Sequence, residues 1–147
     1  MTKDEFITAA ITVARAFSAT PAGVTLAQAA LESAFGQSQL SREARNYFGI
    51  KAHGALPFVE MSTHEAANGT LVRVSARFAK YESMEACFAD RERILTNVAA
   101  YADARACVAD PEAFIRALAR HWATDPHYAE KLLRIYREHG FDQLDQH

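Results

Sequence analysis

Two glutamates in this chain stand where a carboxyl group could do acid–base chemistry. The first is Glu32, in the stretch "TLAQAALESAFGQSQL" from Thr25 to Leu40. Between Ala16 and Ser41 it is the one formally charged residue, set in an alanine-rich, helix-forming run. On a helix its neighbours one turn away are Gln28 and Ala29 on one side and Phe35 and Gly36 on the other. None is cationic. Burying an ionised carboxylate without a partner is costly, and the group takes up a proton instead, so apolar surroundings raise its pKa. A carboxylic acid still protonated near neutral pH is what a glycosidase uses to protonate a leaving oxygen. A solvated glutamate with no task is the alternative, and spacing alone does not separate the two.

The second candidate is Glu65. Asn68-Gly69 favours a two-residue type I′ turn. After it, Val72, Val74, Ala76 and Phe78 alternate with Arg73, Ser75 and Arg77, the pattern of a half-buried β-hairpin. With Asn68 and Gly69 as the turn, Ala67 faces Thr70 and Glu65 faces Val72. Directly opposed residues share a face, so Glu65 and Thr63 lie with Val72, Val74 and Phe78, and His64 lies with Arg73 on the solvated side. An acid on the apolar face points into a cleft, unless the register slips by one residue. Aromatic residues are a third element. Tyr47, Phe48, Trp122 and Tyr128 sit beside loops or helix starts, the last two flanking the "TDP" break. Such rings stack on sugar faces, although they build cores more often.

These residues must be carried by a mostly helical frame. Phe6, Ile7, Ala10, Ile11, Ala14 and Phe17 fall at helical spacing within Asp4 to Phe17. "SATPAG" interrupts, and a second helix is expected from Thr25 to Phe35 with Gly36 as its stop. "SREARNYFGIKA" reads as a short helix turning into a loop at Gly49. Beyond the hairpin, Ser83 caps a helix whose stripe holds Met84, Cys87, Phe88, Arg91 and Leu95. Asp110-Pro111 opens another helix, and Asp125-Pro126 repeats the device for a last one closing on Gly140. The expected fold class is α+β, mainly α: one domain over residues 1–147, with a hairpin lobe over residues 56–81 forming one side of a cleft.

Composition narrows the function. A chain of 147 residues, half of them hydrophobic, has the size and character of one globular domain. A net charge of -2 gives no reason to expect nucleic acid. No apolar run approaches the roughly 20 residues of a membrane span. The start "MTKDEF" lacks a basic n-region and an apolar core, so no signal peptide is expected. Cys87 and Cys107 are expected to be buried free thiols. One lies near a helix start and the other soon after that helix ends, which leaves little chain to bring them together. The histidines show no ligand spacing, so neither a metal nor a cofactor is expected.

"QAALESAFGQSQL", "NYFGIKA", "STHEAANGTLVRVSARFAKYES", "CFADRERIL" and "WATDPHYAEKLL" occur in the order and spacing of the glycoside hydrolase family 73 glucosaminidases, which the chain resembles from its first helix to Tyr136. The resemblance implies a lysozyme-like fold that cleaves the β-1,4 bond from N-acetylglucosamine to N-acetylmuramic acid in peptidoglycan. It matches Glu32 to the general acid of "ALES", with Ser33 beside it. Glu65 matches the hairpin glutamate, and Tyr128 the tyrosine bordering the catalytic glutamate. Asn46, Phe48 and Gly49 match the segment that lines and braces the cleft, and Ser33, Asn46, Phe48 and Trp122 are carried as substrate-binding candidates. Departures cluster on the hairpin side: Tyr47 where many members have leucine, Ser62 where they have lysine, and "RFAKY" for "KFRAY".

The reading is therefore a monomeric peptidoglycan endo-β-N-acetylglucosaminidase acting at the bacterial cell wall. Without a signal peptide it would be released through a pore or by a secretion machine, or be a fragment of a longer protein. A muramidase or lytic transglycosylase on the same scaffold is the near alternative. A non-catalytic glycan-binding or assembly module is the alternative of another class, and retention of both glutamates argues against it.

Overall fold

The computed structural model describes residues 1–146 and has the expected α+β, mainly helical architecture. Helices α1 (Lys3–Arg15), α2 (Ala22–Ser33) and α3 (Gln39–Ala44) precede a hairpin of β1 (Phe58–Ala67) and β2 (Thr70–Ala79). Helices α4 (Met84–Asn97), α5 (Ala102–Ala106), α6 (Pro111–Trp122) and α7 (Tyr128–Glu138) follow, then a 3-10 turn, Phe141–Asp145.

The centre of the fold is α2, which packs against α1, α7 and the 3-10 turn. Gly23 through Ala30 are all buried, polar Thr25 and Gln28 included. Small side chains allow this approach: a β-carbon on Gly23 would lie 2.1 Å from the Phe141 carbonyl oxygen. Phe6, Phe48, Phe88, Phe114, Leu118 and Leu132 close the core around the helix. Its last turn emerges half-buried at Leu31 and Glu32.

Helix starts follow their capping chemistry. Ser83 accepts from the Ala86 N–H at the start of α4, and Asp110 from the Ala113 N–H at the start of α6. Three boundaries differ from expectation. Helix α2 starts at Ala22 and stops at Ser33, because Ala34, Phe35 and Gly36 all adopt positive φ. The Ser33 hydroxyl accepts from the Gly36 N–H at 2.8 Å and its carbonyl from the Ser38 N–H at 2.9 Å, winding a left-handed turn. Helix α7 starts at Tyr128, not at Asp125-Pro126. Asp125 caps only the His127 N–H, at 2.8 Å, and pairs with Lys131 at 2.6 Å. The short α5 was not expected. Cys87 and Cys107 are unbonded as expected, though Cys107 is half-buried and not buried.

The hairpin has the expected register, Glu65 opposite Val72 and His64 opposite Arg73. Asn68 and Gly69 turn with φ of 52° and 79°. Its base is fixed by the 50–52 segment, where the Ala79 N–H bonds the Ile50 carbonyl and the Ala52 N–H bonds the Arg77 carbonyl. The expected half-burial holds at Val74 and Ala76, and Phe78 and Ala79 at the base are buried outright. Leu71 and Val72 at the tip of the two-stranded sheet are exposed.

Candidate active site

Where α2 emerges, Glu32 lines a cleft of about 870 Å³ between the helical body and the hairpin. Burial raises its carboxyl from the ordinary 4.5 to about 7, and the hydrogen-bonding Tyr128 hydroxyl pulls the other way. Among the described residues no cation forms an ion pair with Glu32, although Lys51 and Arg120 line the same cleft. Gly49 faces it with φ +69°, and a β-carbon there would stand 3.2 Å from Glu32 Oε2. The glycine thus serves both a left-handed turn and a close approach to the acid.

Glu65 reaches the same cleft from the hairpin side, as the register required. Its Oε1 is 2.7 Å from Lys51 Nζ. Thr63 shares that wall. His64, expected on the outer face only, also borders the cleft, because a two-stranded ribbon is narrow enough for both faces to reach its rim. The opposite wall is the end of α6, with Arg120, His121 and Trp122, and the loop beyond it. There the Thr124 hydroxyl accepts from the Ala66 N–H at 3.1 Å, tying hairpin to helical body.

The remaining candidates brace the cleft more than they line it. Ser33, expected to bind substrate, has no exposed surface; its hydroxyl donates to the Ala29 carbonyl at 2.6 Å and caps Gly36. Asn46 is also buried. Its amide donates to the Ile50 and Ala79 carbonyls, both at 2.9 Å, and accepts from the Ile50 N–H at 3.1 Å. Phe48 borders the cleft from a fully buried position, stacked edge-on against Phe88. Direct contact with substrate is therefore corrected to support for Ser33 and Asn46: their polar atoms are already satisfied inside the protein. Trp122 keeps a half-buried face on the cleft while its Nε1 donates to the Phe48 carbonyl at 3.2 Å. Tyr128, 4% exposed, acts on Glu32 from within the core and is not part of the cleft lining.

Lys51, Thr124 and a buried chain behind Glu32 escaped sequence reasoning. In that chain Arg91 Nε donates to Gln28 Oε1 at 2.7 Å, and Gln28 Nε2 donates to the Tyr128 oxygen at 3.2 Å. A signal existed for it: Arg91 lies on the apolar stripe of α4 and Gln28 one turn before the lone glutamate. Among the described residues no group of three or more histidine, cysteine or acidic side chains is arranged to hold a metal ion. The cleft presents one carboxyl raised by burial to about 7, across from a carboxylate paired with Lys51.

Several known proteins are similar to this chain. Peptidoglycan hydrolase FlgJ of Escherichia coli O157:H7 is 40% identical over 127 residues, covering 82% of this chain and 41% of that protein. Exo-glucosaminidase LytG of Bacillus subtilis (strain 168) is 30% identical over 128 residues, covering 84% of this chain and 45% of its own. The chain thus spans less than half the length of these curated relatives. The crystal structure of a peptidoglycan hydrolase mutant from Sphingomonas sp. A1 aligns with a TM-score of 0.76 at 33% identity, over 95% of this chain and 92% of that one. Residues 7–141 match the glucosaminidase family model, described as mannosyl-glycoprotein endo-β-N-acetylglucosaminidase, and the chain belongs to that glycoside hydrolase family.

Proposed function

We propose that the chain is a peptidoglycan hydrolase, an endo-β-N-acetylglucosaminidase that cleaves the β-1,4 bond from N-acetylglucosamine to N-acetylmuramic acid. It acts on the bacterial cell wall as a monomer, with residues 1–147 forming one catalytic domain. The observation that carries this reading is Glu32, a carboxyl lifted to about 7 on the wall of a cleft it shares with Glu65. At neutral pH about half of such groups hold a proton to give and half have given it, the balance a general acid needs.

Glu32 donates its proton to the glycosidic oxygen as the bond to the N-acetylglucosamine anomeric carbon breaks. The leaving strand departs as an alcohol, and the sugar passes through an oxocarbenium-like state. A water then supplies hydroxide to the anomeric carbon. Either Glu65 removes that water's proton directly, or the substrate's own 2-acetamido oxygen bonds the anomeric carbon first, and the water then breaks that bond while giving its proton to the Glu32 carboxylate. Glu65, across the cleft, favours the cation electrostatically in both routes. Tyr128 is buried behind Glu32, so its part is to orient the acid and not the substrate.

The test is digestion of purified peptidoglycan, with the products reduced by borohydride and identified by mass spectrometry. Strands ending in reduced N-acetylglucosamine are expected. Reduced muramic acid ends would assign a muramidase, and anhydromuramic acid a lytic transglycosylase, and either would overturn the proposal. Glu32→Gln should fold normally and lose turnover by about 10²–10⁴-fold.

A further inference from the structure

Behind Glu32 runs a line of buried polar groups whose direction is fixed from one end. Arg91 and Gln28 have no exposed surface. A guanidinium carries donors only, so the atom of Gln28 at 2.7 Å from Arg91 Nε is the amide oxygen. The other end of the same amide, its NH₂ group, therefore faces the Tyr128 oxygen at 3.2 Å. A hydroxyl that accepts from Gln28 has one proton left to give, and the Glu32 carboxyl is the group it acts on. The carboxyl oxygen that receives it cannot also present a proton there. The transferable proton is left for the other oxygen.

We propose that Gln28 and Arg91 are positioning residues of the reaction: Arg91 sets the Gln28 amide, Gln28 sets the Tyr128 hydroxyl as donor to Glu32, and the acidic proton is thereby held on the carboxyl oxygen turned away from Tyr128. This rests on the reading of Glu32 as general acid. Packing alone does not account for Arg91. Its charge is buried with Nη2 lacking any partner, and its nearest carboxylate, on Glu92, is 3.7 Å away. Replacing such a buried charge by an apolar side chain of similar size is often neutral or stabilising, so an arginine kept there for stability would be a poor choice. Its remaining bonds, from Nη1 to Thr25 at 2.8 Å and Thr20 at 3.3 Å, and its seat 5.1 Å over the Phe48 ring, hold the guanidinium in one orientation. The other charged or titratable groups bordering the cleft with Glu32 are Lys51, His64 and Glu65 on the hairpin side and Arg120 and His121 on α6. None of them is a member of the chain.

The decisive variant is Gln28→Glu. A carboxylate at that position keeps the bond to Arg91 but has no proton for Tyr128, so the tyrosine donates to it and abandons Glu32. NMR titration of the Glu32 side-chain carboxyl, and the pH profile of kcat/KM on peptidoglycan, should then both move. The Glu32 midpoint and the alkaline limb of activity should rise together by about one pH unit or more. Arg91→Met, which frees the amide to rotate, should shift both in the same direction by less, and Arg91→Lys should recover most of the loss. In a Tyr128→Phe background, Arg91→Met should add no further shift. An unmoved Glu32 titration in folded Gln28→Glu and Arg91→Met would overturn the proposal. So would failure of both to fold, which would make the network a folding element. Full activity in Glu32→Gln would instead sink the general-acid reading itself, whatever the titration of Glu32 does.

Discussion

The isolation that makes Glu32 an acid should also make it a cost to the fold, and the cost has a definite pH dependence. Its carboxyl is raised from 4.5 to about 7 by burial, so the folded chain binds that proton more tightly than the unfolded chain. Between the two values the folded state holds more protons, and stability therefore falls as pH rises through this window. Below it both states are protonated and the group contributes nothing; above it the loss is complete. At about 1.4 kcal/mol for each tenfold change in proton affinity, the full loss is about 3 kcal/mol as an order of magnitude. Glutamine has nearly the same shape and never ionises. The stability of Glu32→Gln relative to the parent should thus grow from near zero at about pH 4 to about 3 kcal/mol in the variant's favour at about pH 8. Urea denaturation of both proteins across that range measures it, and subtraction removes every other titrating group they share. A difference that stays constant with pH would refute the claim that burial holds the proton on Glu32. A variant that is both more stable and inactive is what an active-site acid held against its preference should give.

Gly49→Ala should cost about 1 kcal/mol through its positive φ, yet lose activity out of proportion, because the added β-carbon presses on the acid. Thermal melting and turnover, compared on one preparation, separate the two effects. Thr124→Val removes the tie from hairpin to helical body, worth about 1 kcal/mol, and should raise KM for peptidoglycan about fivefold with kcat little changed. Glu65→Gln should lower turnover by at least about a hundredfold while glycan fragments still bind. A milder loss would assign the attack to the substrate's acetamido group.

Much of the fold was legible because its signals are local. Ser83 and Asp110 mark helix starts through the bonds their side chains make within one turn. Asn68-Gly69 fixes the hairpin register because type I′ geometry demands positive φ at both positions. The errors fall where local chemistry has competitors. Asp125 looked like a cap, but its carboxylate is divided between His127 and Lys131, and the helix waits until Tyr128. The hairpin alternation implied burial along its whole length, and it holds from Phe78 out to Val74 but lapses at Val72 near the tip.

The site divides in the same way. Glu32 was visible because α2 is the central helix, so a residue without charged neighbours along that helix is held mainly by burial, which raises its carboxyl. Glu65 was visible because strand periodicity converts register into facing. Which residues touch substrate and which hold those that do was not visible, since both kinds are polar or aromatic and cluster near the same loops. Ser33, Asn46 and Tyr128 differ from Trp122 chiefly in burial, and burial depends on what the rest of the chain brings against them. The link from Arg91 to Gln28 joins residues 63 apart in sequence, on helices whose packing no local pattern specifies. An arginine on the apolar stripe of α4 and a glutamine one turn before a lone glutamate are two anomalies of the same kind: polar groups where burial is expected. Each buried polar group needs a partner, so two such anomalies in one small core are best read as partners of each other.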